Sequence, residues 1–113
     1  MKSSLTHLPS TTHALSALGA QISIARREMG WTTAELAERL GVTARLVSRI
    51  EAGAASTGVG TVFEAAILCG VPLFETDAED VRAMALVAEI ENLRLALLPS
   101  RVRPRNVKVA NDF

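Results

Sequence analysis

The sequence predicts an all-α fold of five helices, and three observations carry that expectation. Ala, Leu and Val dominate, while aromatic residues make up only 4% of 113 residues, a composition suited to packed helices rather than to a sheet. Apolar residues recur at spacings of three and four along the chain. Gly or Pro follows the periodic runs, at the places where helices end. With 49% apolar and 21% charged residues the chain can build one core, which argues against wholesale disorder.

The elements follow in order. Residues 1–13 are polar and rich in Pro, Thr and Ser, and are expected to form a loose arm holding His7 and His13. Leu15, Leu18, Ile22, Ala25 and Met29 then recur at helical spacing over 14–29, and Gly30 ends that first helix. Thr32 fits the N-cap of a second helix. Glu35, three residues on, completes a capping box, and Trp31 with Leu36 supplies the hydrophobic staple. Gly41 stops this helix after Leu40. Thr43 caps a third helix, with Val42 and Val47 at the staple positions, running to Ala52 before Gly53 breaks it. Residues 53–60 are small and Gly-rich and read as a loop. Residues 61–69 read as a fourth helix, closed by Gly70, Val71 and Pro72. The fifth and longest helix spans 78–97 and ends before Pro99. It is apolar on one side through Val81, Met84, Ala85 and Ala88, and on another through Leu86, Ile90, Leu93 and Leu97. Such a helix either covers the back of the four-helix core or meets a second copy of the chain. Glu75, Asp77, Glu79 and Asp80 gather at its start, where acids complement the helix dipole. Residues 99–113 hold two prolines and no helical period, and are expected to be an extended or disordered basic tail.

Several functional classes are disfavoured at this level. A lone Cys69 excludes an internal disulfide and reads as a buried small hydrophobe, and no Cys/His cluster has zinc-ligand spacing. No apolar run approaches the ~18 residues a membrane helix needs, and the first thirteen residues lack the continuous apolar stretch of a secretory signal, so a cytoplasmic protein is expected. A phosphate-cradling glycine motif and an ordered Ser/His/Asp set are both missing; the expectation is a non-enzyme without cofactor or metal. The formal net charge is zero, yet it is unevenly spread. Residues 1–53 carry six Lys/Arg against four Asp/Glu, residues 54–98 two against seven, and residues 99–113 four against one. A basic front and a basic tail keep nucleic acid in view, the more so because ten of the twelve cations are Arg, the side chain suited to bidentate contact with guanine or phosphate.

Two short helices joined by a tight Gly-containing turn make a helix-turn-helix. Ala37 must be small where the two helices cross, and Leu36, Leu40, Val47 and Ile50 are the inward positions. Ala44, Arg45, Ser48 and Arg49 point away from that core and would face a DNA groove. The run from Thr33 to Thr43, followed by Val47-Ser48-Arg49-Ile50-Glu51-Ala52-Gly53, resembles the Xre/Cro (lambda-repressor-like) DNA-binding family over about residues 18–74. The resemblance implies a five-helix lambda-repressor-like domain whose third helix reads the major groove of double-stranded DNA as part of a homodimer. It implies base-edge roles for Ala44, Arg45 and Arg49, places Thr43 and Ser48 near bases or phosphates, and pairs Arg26 with Glu51 as a structural ion pair. Where the family usually has a phosphate-gripping Gln, this chain has Thr33, with shorter reach. Ser56, with Thr57, sits in the loop as a further phosphate neighbour or as plain surface. The expected organisation is therefore an arm over 1–13, a DNA-binding domain over 14–77, a dimerisation helix over 78–98 and a basic tail over 99–113.

The tail admits two readings. Arg101, Arg103, Arg105 and Lys108 alternate with small or apolar residues, and Phe113 follows Asn111 and Asp112. It is similar to the Arg-rich tails of HipB-like antitoxins, small regulators that accompany HipA-like toxin kinases, which implies a kinase partner with Phe113 as an apolar anchor. Alternatively, the same cations follow DNA phosphates as a steering arm of a stand-alone regulator.

Overall fold

The protein is described over residues 6–100 by a computed structural model. Five helices occur in chain order: α1 (Pro9–Glu28), α2 (Thr33–Leu40), α3 (Ala44–Glu51), α4 (Val59–Leu68) and α5 (Val81–Ala96). Among the described residues there is no strand, only a bridge between Leu73 and Thr76. The all-α expectation holds.

Local chemistry explains most boundaries. The Thr32 hydroxyl accepts the Glu35 N–H at 3.0 Å, and a Glu35 carboxylate oxygen accepts the Thr32 N–H at 2.9 Å, so the capping box forms in full. That second bond, first among the causes, holds the exposed Glu35 carboxyl below the usual carboxylate range. Thr43 caps α3 by accepting the Leu46 N–H at 3.1 Å. Trp31 and Val42 both pack against the core, as the staples require.

The helix starts differ from expectation in three places. The first begins at Pro9, so residues 9–13, His13 included, are helical rather than part of a loose arm. Proline at a first helical position is preset in φ and lacks only an N–H that would have no partner there. Helix α4 starts at Val59, two residues before the expected 61. Helix α5 starts at Val81, three after the expected 78, because Asp80 is its N-cap: one carboxylate oxygen accepts the N–H groups of Arg82 and Ala83 at 3.0 and 3.1 Å. The acids 75–80 therefore precede the helix instead of sitting in its first turn.

The core lies where α1, α2, α3 and α4 meet. Ile22, Leu36 and Val47 are fully buried at its centre, surrounded by Ala37, Ile50 and Ala66. The closely packed pairs are α2 with α3, α1 with α3, and α2 with α4. Helix α5 buries none of its residues, so it does not close the back of that core. The chain enters it through a tight turn in which Phe74 and Glu75 both adopt left-handed backbone angles, φ 53° and 57°. Leu73 and Thr76 bridge that turn with two backbone hydrogen bonds of 3.2 and 3.0 Å, and the Phe74 and Phe63 rings meet edge to face with centroids 6.2 Å apart.

The α1–α3 crossing is a backbone-to-backbone contact. A Cβ on Gly19 would stand 2.6 Å from the carbonyl oxygens of both Ile50 and Glu51, and one on Gly53 would stand 2.8 Å from the Ser16 Cα. Neither position has room for a methyl group, and Gly53 also holds φ 81°. Gly19→Ala and Gly53→Ala are each expected to cost about 1–3 kcal/mol through overpacking, a fall in thermal midpoint of about 4–8 °C per kcal/mol. Gly60→Ala, with nothing within 4 Å of the added carbon, should leave the midpoint unchanged or raise it slightly. Thermal unfolding followed by circular dichroism checks this; similar melting of all three variants would refute the close-approach account.

Candidate nucleic-acid interface

Helices α2 and α3, of eight residues each, are joined by residues 41–43, with Gly41 at φ 72° making the turn that a Cβ would strain. Leu36, Ala37, Val47 and Ile50 face inward and are buried. The spacing of Val47 and Ile50 leaves Ala44, Arg45, Ser48 and Arg49 on the solvent side of α3, and all four are exposed. Arg45 and Arg49 lie one helical turn apart, and neither is in an ion pair among the described residues. An α-helix, about 10–12 Å across with its side chains, matches a major groove about 12 Å wide. The short side chains of Ala44 and Ser48 leave the two arginines as the longest reach on this face.

The flanking polar residues fall around the same motif. Thr43, at the N-terminus of α3, uses a hydroxyl lone pair for its cap and keeps its proton free to donate outward. Thr33 is the first residue of α2 and is half-buried. Ser56 is exposed in the loop before α4, whereas Thr57 turns inward, buried, and donates to the Ala54 carbonyl at 3.3 Å. The loop therefore separates two residues that the sequence grouped together.

Behind the exposed face lies an ionic tie. The Arg26 Nε donates to one Glu51 oxygen at 2.6 Å and its Nη2 to the other at 2.9 Å, with side chains only 7% and 9% exposed. Its remaining Nη1 donates to the Trp31 carbonyl at 2.7 Å. One guanidinium thus joins α1, the loop into α2 and the last residue of α3. Burial by itself would push the Glu51 carboxyl up; the hydrogen bonds and charge of Arg26, helped by Ser23 and Arg27 nearby, overcome it and hold the carboxyl below the usual carboxylate range. The hydrogen bond to Glu51 likewise raises Arg26 against the opposing effect of burial. Cys69 is buried in the core beside this pair, and burial, then the Glu51 charge, pushes its thiol up, away from the reactive thiolate.

Residues 22–75 match the model of the family described as helix-turn-helix. This segment is a helix-turn-helix domain. It is of the Xre/lambda-repressor-like kind, in line with the resemblance carried by its sequence, and such domains belong to DNA-binding transcriptional regulators rather than to enzymes. No curated protein and no solved structure matches the chain. The matched segment ends in the turn at residue 75, so α5 lies wholly beyond it. No helix among the described residues is long and apolar enough to cross a membrane.

Three features of the domain went unread in the sequence. The Arg26 bond to the Trp31 carbonyl has no side-chain signature, since any residue at 31 offers that oxygen. Arg39 sits over the Trp31 ring at 4.2 Å from its centroid, a cation–π contact between the last turn of α2 and the residue before its cap. Gly19 lies inside a helical run, where no cap or spacing signals its close approach to α3. The tail residues Arg101, Arg103, Arg105, Lys108 and Phe113 lie outside the described residues.

The buried pair gives the domain a definite acid response. Glu51 titrates below its unfolded value, so its contribution is full above the usual carboxylate range and is lost as pH falls through the folded value. Arg26 stays charged throughout. Stability should therefore be flat near neutrality and fall below about pH 4.5. Glu51→Gln leaves a buried guanidinium without its counter-charge and should cost about 3–5 kcal/mol at pH 7, with a weaker acid dependence. Denaturant titrations at pH 7 and pH 4 test both points; equal stability of the variant and the parent would contradict the assignment.

Proposed function

We propose that the protein is a sequence-specific transcriptional repressor that binds a palindromic operator as a homodimer in the cytoplasm, needing no cofactor. The observation that carries this reading is the pair of exposed arginines, Arg45 and Arg49, one turn apart on a helix held at its far end by the buried Arg26–Glu51 pair. Arg45, Arg49 and Ala44 take the base edges: guanidinium forks match guanine O6 and N7, and an alanine methyl suits thymine. Ser48 and Thr43 lie near bases or phosphates, and Thr33 and Ser56 contact phosphate on either side. An eight-residue helix spans only a few base pairs, so selecting a site takes two copies with half-site centres about 34–36 Å apart or a multiple of that.

A second reading rests on the tail sequence. The four cations at 101, 103, 105 and 108, followed by Phe113, favour an antitoxin role beside a HipA-like toxin kinase, with the arginines paired to acids on the kinase. The same chain ending at Leu98 separates this from a tail that steers along DNA. Loss of co-purification with a neighbouring gene product, at unchanged operator affinity, supports the antitoxin. A shallower salt dependence, by up to about 3.6 in the log–log slope for four phosphates, supports the DNA arm.

Arg45→Ala should remove about 1–3 kcal/mol of discrimination at one or two positions of each half-site. Thermal stability should stay at the parent value because the side chain is exposed. Binding measured against a panel of single-base operator variants distinguishes the roles: an equal loss on every sequence would make Arg45 a phosphate contact instead.

A further inference from the structure

Helix α5 carries a face that the domain leaves uncovered. Ala83, Leu86, Ile90, Leu93 and Leu97 recur at spacings of three, four, three and four, which is the a/d seam of a two-heptad coiled coil. Leu86 is 55% exposed, Ile90 47%, Leu93 63% and Leu97 80%, an unusual outlay of large apolar surface for one short helix. The domain lies against a neighbouring side of α5, where half-buried Met84 lines a shallow groove with Ile67, and Val87 one with Phe74; Ile90 reaches the rim of that second groove, and Ala83 is half-buried. Leu86, Leu93 and Leu97 line neither groove, so most of the large apolar surface of the seam is open, beyond the segment that matches the helix-turn-helix family.

Charge decides what fits this seam. With Ala83, Ile90 and Leu97 at a and Leu86 and Leu93 at d, Glu89 falls at g and Arg94 at e of the next heptad, five residues on. In a parallel, in-register pair of such helices, Glu89 of each copy faces Arg94 of the other. In an antiparallel pair Glu89 would face Ala96 and Arg94 would face Val87, and both charges would go unmatched. Arg94 at present donates to Glu91 on its own helix at 3.1 Å, with both side chains exposed, so its other donors are free for a second carboxylate.

Resting on the homodimeric reading above, we propose that α5 pairs with α5 of a second copy as a short parallel coiled coil, closed by Leu86, Ile90, Leu93 and Leu97 and set in direction by reciprocal Glu89–Arg94 pairs. The two-fold axis then runs along the helix pair. Both helix-turn-helix domains stand at the N-terminal end of the seam, on the same side of the assembly, as a palindrome read from one face of the duplex needs.

The full chain tests this. Light scattering at tens of micromolar should give a dimer, and Leu93→Asp should give a monomer whose domain melts as before, because α5 contributes no buried residue to the core. Arg94→Glu should weaken self-association about fivefold, from two like-charge contacts, and Glu89→Arg together with Arg94→Glu should restore it. Air oxidation of Ala83→Cys should link the two copies; in an antiparallel pair those positions lie about 25 Å apart along the axis, far outside disulfide reach. The buried Cys69 does not compete. A dimer that survives Leu93→Asp, fails to recover in the charge swap or does not cross-link overturns the parallel α5 seam while leaving the homodimer standing. A monomeric parent chain overturns the homodimer as well.

Discussion

The Arg26 guanidinium is the constraint on which the rest of the domain depends. It meets a carboxylate with two donors and a main-chain carbonyl with a third, all nearly out of water. Taking two charges out of solvent is costly, and their mutual attraction recovers that cost only when geometry is good and the remaining donors are satisfied. Here the pairing is bidentate, and each of the three guanidinium nitrogens donates to a partner. An apolar substitute of similar volume would fill the space, but it would have no directional bond to the Trp31 carbonyl or to the end of α3. The ion pair therefore acts on orientation more than on net stability. It relates three elements whose apolar contacts, being non-directional, would tolerate some sliding.

If α3 reads DNA as proposed, this division of labour separates recognition from architecture on a helix of only eight residues. The inward side of α3 is occupied by Val47, Ile50 and Glu51, each spent on the fold. Its outward side carries Arg45, Ser48 and Arg49, which the fold does not use. Substitutions on the outer side can therefore accumulate without disturbing the core. Helix α5 extends the same modularity: it is attached through a turn whose two central residues take left-handed angles, and it shares no buried residue with the domain.

What was legible in the sequence was local or periodic. The caps at Thr32 and Thr43, the turn at Gly41 and the inward set of α2 and α3 depend on residues within a few positions of one another, and the structure has them as read. The start of α1 was misplaced because Ser, Thr and His after Pro9 carry no apolar period, although proline itself is a good first residue. The start of α5 was misplaced because four acids competed for one capping role, which Asp80 takes. The Arg26–Glu51 tie was legible only through family resemblance, being twenty-five residues apart in sequence. The Trp31 carbonyl bond and the need for Gly19 depend on how helices cross, which neither propensity nor spacing encodes.

The close approach at Gly19 bears on how the domain can vary over time. Where α1 meets α3 the distance is fixed by main chain against main chain, with carbonyl oxygens of Ile50 and Glu51 under the glycine Cα. Side chains elsewhere in the core can exchange volume, an isoleucine for a valine or a leucine for a methionine, and the resulting shifts are absorbed where side chains meet. At this crossing there is no side chain to change size. The tilt of α3 is thereby insulated from drift in the core, and two sequences differing widely in their interiors would still present their exposed arginines at the same angle.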